Sequence, residues 1–246
     1  MSENSTDLYG CEKPLLPVPV KAVYIHEQII KNLKLIENTS YSSCLDKKFR
    51  RIFTDTLQLY NSYQKAILEN SNITPSCRKG CASCCFHWVE DVNSFEAEII
   101  AEHIRSKMPE MVQKIIDQCA ADEAELERLA AIVSAKIYEM ECSKIDETDL
   151  LLSVFYQMKR PCPFLNEDKS CAIYSIRPVT CRIYMSFSDV KKCDPEYIND
   201  NDIPTYLLNL EEEASAILDR IHFKFQKFED DTGLRSLVCK YLKNSH

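Results

Sequence analysis

Between Cys77 and Cys85 the chain places four thiols within nine residues: Cys77-Arg-Lys-Gly-Cys81-Ala-Ser-Cys84-Cys85. Ordinary core packing has no use for so dense a run. The spacing instead puts several soft ligands on one tight loop, where the entropy cost of gathering them around a metal is already small. A second cysteine segment runs through Cys162, Cys171, Cys181 and Cys193. A fold built on this sequence is expected to be organised around a metal ion or an iron–sulfur cluster.

Disulfides are the competing use of cysteine, and the chain argues against them. Its 246 residues can bury a full core without covalent staples, and thirteen cysteines is an odd count. Met1 to Thr6 is polar, and Pro14, Pro17 and Pro19 interrupt the next stretch of chain. No apolar run approaches the ~18 residues needed to span a bilayer. The expectation is a cytoplasmic protein with reduced thiols and no membrane contact. A formal charge of −8 opposes a general nucleic-acid partner, which needs a basic face for phosphate.

That charge is uneven. From Val92 to Met158 there are 14 acidic and 6 basic side chains, whereas Lys159 to Cys193 carries 7 basic and 3 acidic ones. The basic stretch coincides with the second cysteine segment. A tetrathiolate zinc site or an oxidised four-iron cluster carries a charge of roughly −2, which nearby cations would offset. Glycine is scarce: Gly10, Gly80 and Gly233 are the only three, so neither a Walker A loop nor a GxGxxG fingerprint can be written.

Elsewhere the pattern is helical. Residues 1–20 read as a flexible, proline-punctuated tail, and 21–74 as an N-terminal helical region with apolar periods over Lys21–Asn38 and Asp46–Glu69. Residues 75–195 form the cysteine-bearing domain. Within it Asn93 and Glu96 make a capping pair, Pro109 suits the first turn of a long helix, and Asp146–Lys159 is a shorter apolar helix. Cys162 to Tyr174 has two short apolar runs about a polar turn, which suits a small β-hairpin. In the C-terminal helical region, 196–246, Asp202 and Pro204 are expected to open one helix, and Leu234–Leu242 forms another. The fold class expected is mainly α, with irregular metal-binding cysteine loops and room for one small hairpin.

Gly80 fits a tight ligand loop, which usually needs one residue at positive φ. Adjacent cysteines rarely serve one ion well because their side chains diverge, so Cys84 and Cys85 either serve two centres or leave one thiol packed. The eight candidates are Cys77, Cys81, Cys84, Cys85, Cys162, Cys171, Cys181 and Cys193. They fill two four-thiolate sites, or one with spares. Cys119 and Cys239 lie on apolar helix faces and read as buried structural thiols. Cys11, Cys44 and Cys142 are isolated. His87 is the one histidine near the thiols, as a ligand, a donor behind the ligands, or a solvated loop residue. Arg177 and Arg182 suit hydrogen bonds to thiolate or sulfide, or a structural ion pair.

These pieces in this order, Cys-x3-Cys-x2-Cys-Cys, then Cys162-Pro-Phe-Leu, then Cys171-Ala-Ile-Tyr-x2-Arg-Pro-x2-Cys181-Arg, resemble the YkgJ-type cysteine-cluster family named for its CxxCxxCC signature. The resemblance covers roughly Ser76 to Cys193. The first spacing departs from the signature by one residue. The resemblance implies zinc or iron chelation by these cysteines. A similar cysteine domain in flagellin lysine N-methylases, thought to carry an iron–sulfur cluster, implies methyl transfer to protein lysine as one possible activity.

The reading carried forward is a metal-binding protein whose cysteines hold an iron–sulfur cluster, with the four-iron form favoured, or zinc. Clustered thiols in a basic setting without a histidine pair favour iron–sulfur. The alternatives are an iron–sulfur-dependent enzyme such as a protein-lysine N-methylase, and a structural zinc module that presents helices to a protein partner. No catalytic residue can be picked out.

Overall fold

The Asp46 carboxylate accepts hydrogen bonds from the backbone N–H groups of Lys48 at 2.7 Å and Phe49 at 3.3 Å, and so opens a helix where the apolar period begins. The computed structural model describes residues 18–71, 74–77, 80–139, 146–186, 189–193, 205–207, 212–229 and 233–244. Among these the chain forms α1 (Val20–Asn38), α2 (Lys47–Asn70), α3 (Ser94–Lys107), α4 (Val112–Glu139), α5 (Glu147–Gln157), α6 (Thr180–Ile183), α7 (Glu212–Phe225) and α8 (Leu234–Lys243). Two three-residue strands, β1 (Tyr184–Ser186) and β2 (Thr205–Leu207), pair antiparallel, with Met185 opposite Tyr206. The fold is mainly α. None of the described helices is long and apolar enough to cross a membrane.

α1 and α2 pack as a helical hairpin along Ile29, Leu33 and Ile36 on one side and Phe49, Phe53 and Leu57 on the other. Aromatic rings fasten the neighbours to it. Phe95 at the start of α3 meets Phe53 edge-on at 5.0 Å, and Phe225 at the end of α7 meets Phe49 at 5.2 Å. A second core joins α3, α4 and α8 through Ile100, Ile104, Ile115, Cys119, Leu237 and Val238. Cys162, Cys171 and Cys181 pack, half-buried, against this second core. These three thiols therefore sit against a helical core.

A buried ion network braces the same region. Asp122 of α4, only 1 % exposed, accepts from Arg160 at 2.6 Å and from Arg235 of α8. Arg235 also donates to the Arg160 carbonyl at 3.1 Å, and its guanidinium lies 5.2 Å from the Phe155 ring centroid.

The expected helices lie close to their expected bounds, with one correction. The helix expected to open at Asp202 does not run through 205–207, because those residues extend to pair with β1. The described helix begins at Glu212. The expected tail to residue 17 and the Asp202–Pro204 opening lie outside the described residues.

Candidate metal centre

Gly80, at φ +85° with open space around it, lets the first cysteine loop turn as the sequence suggests. The chain then tightens into a 3-10 turn, Ser83–Phe86, with the Cys85 N–H bonded to the Ala82 carbonyl at 2.9 Å. Two backbone contacts tie this loop to the second segment. The Cys162 N–H donates to the Cys85 carbonyl at 2.7 Å, and the Ser76 N–H donates to the Ser186 carbonyl at 2.8 Å. The Ser186 N–H in turn points at the Cys77 sulfur, 3.4 Å away. Residues far apart along the chain are thus held side by side.

The second segment is laid out in three steps. From Cys162 to Cys171 it forms the small hairpin, with Leu165 bridged to Cys171 and the Asn166 N–H bonded to Ser170 at 2.8 Å. The Asp168 carboxylate and Lys169 at φ +62° close its turn. Arg177-Pro178 then leads into α6, which carries Cys181 and Arg182. Finally the turn Val190–Cys193 packs against Ser83–Phe86, and the Tyr156 hydroxyl donates to the Cys193 carbonyl. The Tyr156 ring stacks on His87 at 3.7 Å. That contact gives His87 a packing role.

The thiols fall into two groups that meet at Cys84. Cys85, Cys162, Cys171 and Cys181 lie within electrostatic reach of Cys84 and of one another in part, while Cys77 feels Cys81, Cys84 and Cys193. Cys84 stands apart in its acidity. A hydrogen bond from the Cys85 thiol, helped by the charge of Arg177, lowers its pKa to about 7. The same bond, with burial, pushes Cys85 far up. Burial pushes Cys162 up to about 11, opposed by the charge of Arg235, and raises Cys171 and Cys181, opposed by that of Arg177. A metal that binds here must displace these protons, so loading and pH are linked. Among the described residues, no three Cys, His, Asp or Glu side chains are already drawn in to the spacing of a single-ion site.

The two arginines divide the work. Arg182 is buried and spends its N–H groups on the scaffold, donating to the carbonyls of Arg177 (3.0 Å) and Ser175 (3.0 Å) and to Asn61 Oδ1 (2.9 Å). Arg177 lies 4.4 Å over the Tyr174 ring, and its buried Nε has no hydrogen-bond partner among the described residues. A cation with an unused N–H beside several thiols fits a negatively charged thiolate centre. The donor set is soft sulfur throughout, which suits zinc or iron and excludes the hard-cation chemistry of calcium or magnesium.

The CxxCxxCC family profile, described as a putative zinc- or iron-chelating domain, matches residues 76–203. The chain belongs to the CxxCxxCC family. All eight candidate cysteines fall inside the matched span, as do Arg177 and the hairpin. No curated protein and no solved structure matches the chain.

Sequence reasoning missed two supports of this CxxCxxCC centre. One is the Asp122–Arg160–Arg235 network behind Cys162. The other is the second task of Glu96. Its Oε2 accepts the Asn93 backbone N–H at 3.3 Å, which closes the expected capping box, and the Asn93 side-chain amide at 2.8 Å. Its Oε1 accepts the Val179 N–H at 3.0 Å and so anchors the Arg177–Val179 turn. The capping pair was the only visible signal. Cys119 and Cys239 are buried as expected, and Cys44 joins them in the core. Cys11 and Cys142 lie outside the described residues.

Proposed function

We propose that the protein carries an iron–sulfur cluster, with a four-iron form in the inner thiol group, and that all eight cysteines serve as ligands in two sets. Cys85, Cys162, Cys171 and Cys181 make the inner set. Cys77, Cys81, Cys84 and Cys193 make the outer one, so the adjacent Cys84 and Cys85 point their thiolates to different centres. The observation that carries the reading is the meeting of both thiol groups at Cys84–Cys85, with no histidine among them and the Arg177 charge alongside. An oxidised four-iron cluster with four thiolates carries a charge of about −2, which the Arg177 charge partly offsets. Such a centre, once bound, supplies one-electron chemistry. The chain's own residues contribute the thiolates, the compensating cation and the hydrophobic backing of the second core. A reducing cytoplasm suits both the thiols and the cluster.

Protein purified without oxygen should be brown, absorb near ~400 nm, and contain iron and acid-labile sulfide. Serine at Cys85, Cys162, Cys171 or Cys181 should remove the inner share of that metal, and serine at Cys77, Cys81 or Cys193 the outer share. Colourless protein with stoichiometric zinc and no sulfide sinks the iron–sulfur reading. Full metal content in all of these variants sinks the ligand assignment.

A further inference from the structure

We infer that the open cavity beside the cysteine centre is a binding site for a small organic carboxylate. The cavity measures about 840 Å³, within the range of roughly 300–1,000 Å³ typical of small-molecule sites. One wall is the C-terminal half of α2, with Lys65 and Leu68. The others are the loop that leads to Cys77, the turn that bears Tyr174 and Arg177, and β1 with Met185. Every wall but α2 is therefore a segment that also positions a candidate metal ligand.

Charge and shape both bear on the occupant. Arg177 lines the cavity, and among the described residues no carboxylate pairs with its guanidinium. Arg182 lies within electrostatic reach of Arg177, and each of its three guanidinium nitrogens already donates to the scaffold. The charge of buried Glu96 reaches Arg182 but is already engaged by Asn93 and Val179. Two neighbouring guanidiniums therefore favour an incoming anion. Arginine binds a carboxylate through paired N–H groups, in a fixed planar geometry. At the rim, Lys65 adds a further cation, though it shares its charge with Glu69 at 3.6 Å. That one rim carboxylate disfavours a dianion such as phosphate. Leu68, Met185 and the Tyr174 ring, which is 61 % exposed, offer apolar surface for a short hydrocarbon stem. A monocarboxylate with an aliphatic chain satisfies each of these groups.

Arg177 belongs to both sites, since its charge also acts on Cys84, Cys171 and Cys181. A carboxylate bound to it reduces the positive field on the thiols. The cavity is thus placed to let a small molecule act on the centre or be acted on by it. The binding claim itself does not depend on which metal the cysteines hold.

The test is calorimetric titration of the metal-loaded protein with hexanoate, with inorganic phosphate in parallel. Hexanoate is expected to bind saturably and more tightly than phosphate. Arg177→Gln should weaken hexanoate by about tenfold or more, the usual consequence of losing a charge-assisted pair. Because that change also touches the metal centre, Leu68→Asp provides the second arm: it should weaken hexanoate similarly while metal content stays at the wild-type level. No saturable hexanoate binding, tighter phosphate binding, or an unchanged affinity in both variants overturns the inference. Zinc in place of iron–sulfur overturns the proposed cofactor and leaves this result standing.

Discussion

Replacing Gly233 by alanine gives a test whose size comes from two separate contacts. Gly233 sits at φ 91° and ψ −173°, a backbone region that is essentially closed to residues with a Cβ. Occupying it with alanine costs about 1–3 kcal/mol. A Cβ there would also stand 2.3 Å from the Val89 carbonyl oxygen, far inside contact distance. That oxygen accepts the Leu234 N–H at 2.8 Å, the bond that starts α8 against the segment after Cys85. Moving it away loses a hydrogen bond worth about 1 kcal/mol. The sum is about 2–4 kcal/mol. For a chain of this size each kcal/mol lowers Tm by about 2–4 °C, so the expected drop is roughly 5–15 °C. Gly80→Ala is the matched control, since Gly80 also has positive φ but nothing within 4 Å of its would-be Cβ. Thermal and urea unfolding of both variants, followed by circular dichroism, should place Gly233→Ala clearly below Gly80→Ala. If the two lie within about 0.5 kcal/mol of each other, a typical error for such differences, the α8 contact is not what requires glycine.

Asp122→Asn should destabilise the protein by about 3–5 kcal/mol in urea unfolding, because Arg235, 2 % exposed, loses its buried counter-charge; a loss under about 1 kcal/mol would show that the network is dispensable. After metal removal, Cys84 should be the first of the eight candidate thiols to be alkylated as pH rises, half-maximally near its pKa of about 7, while Cys162 waits until nearer 11. Peptide mapping by mass spectrometry reads this order, and simultaneous labelling would refute the Cys84–Cys85 hydrogen bond. Burial raises the Glu96 pKa above the unfolded carboxylate value of about 4.3, so its contribution to stability is fully present below that pH and falls as pH rises through the folded value. Glu96→Gln should remove this slope from the pH–stability curve and, because its amide keeps an acceptor oxygen for only one of Val179 and Asn93, lower stability by about 1–3 kcal/mol.

Much of the helical framework was legible because each helix carries its own signal. Asp46 caps α2 as a local side-chain bond, Asn93 and Glu96 close their box within one turn, and apolar spacing marks the buried faces of α1 and α4. The hairpin at Cys162–Cys171 was visible for the same reason, with its turn residues adjacent in sequence. What the sequence hid depends on partners far along the chain. Asp122 looks like one more acid on a solvated helix until Arg160 and Arg235 fold over it, 38 and 113 residues away. β2 is only three residues long, and its extended form is selected by β1 and not by its own composition. At the centre, the cysteine-bearing loops could be read from spacing. The sharing of Cys84 between two thiol groups and the division between Arg177 and Arg182 arise only once the distant segments meet.

The bond from the Cys162 N–H to the Cys85 carbonyl has a consequence for how the protein is made. Cys77 to Cys85 leaves the ribosome long before Cys162 exists. At about 5–20 residues per second the first loop waits roughly 4–15 s for its partner strand. During that interval four thiols are exposed together, with neither the second cysteine segment nor α8 to cover them. They are then open to stray metal and to oxidation, and an early-bound ion would have to be surrendered when the second loop docks. Correct loading therefore belongs after synthesis of the second segment, and the reduced state of the nascent loop becomes a requirement for biogenesis and not only for the finished protein.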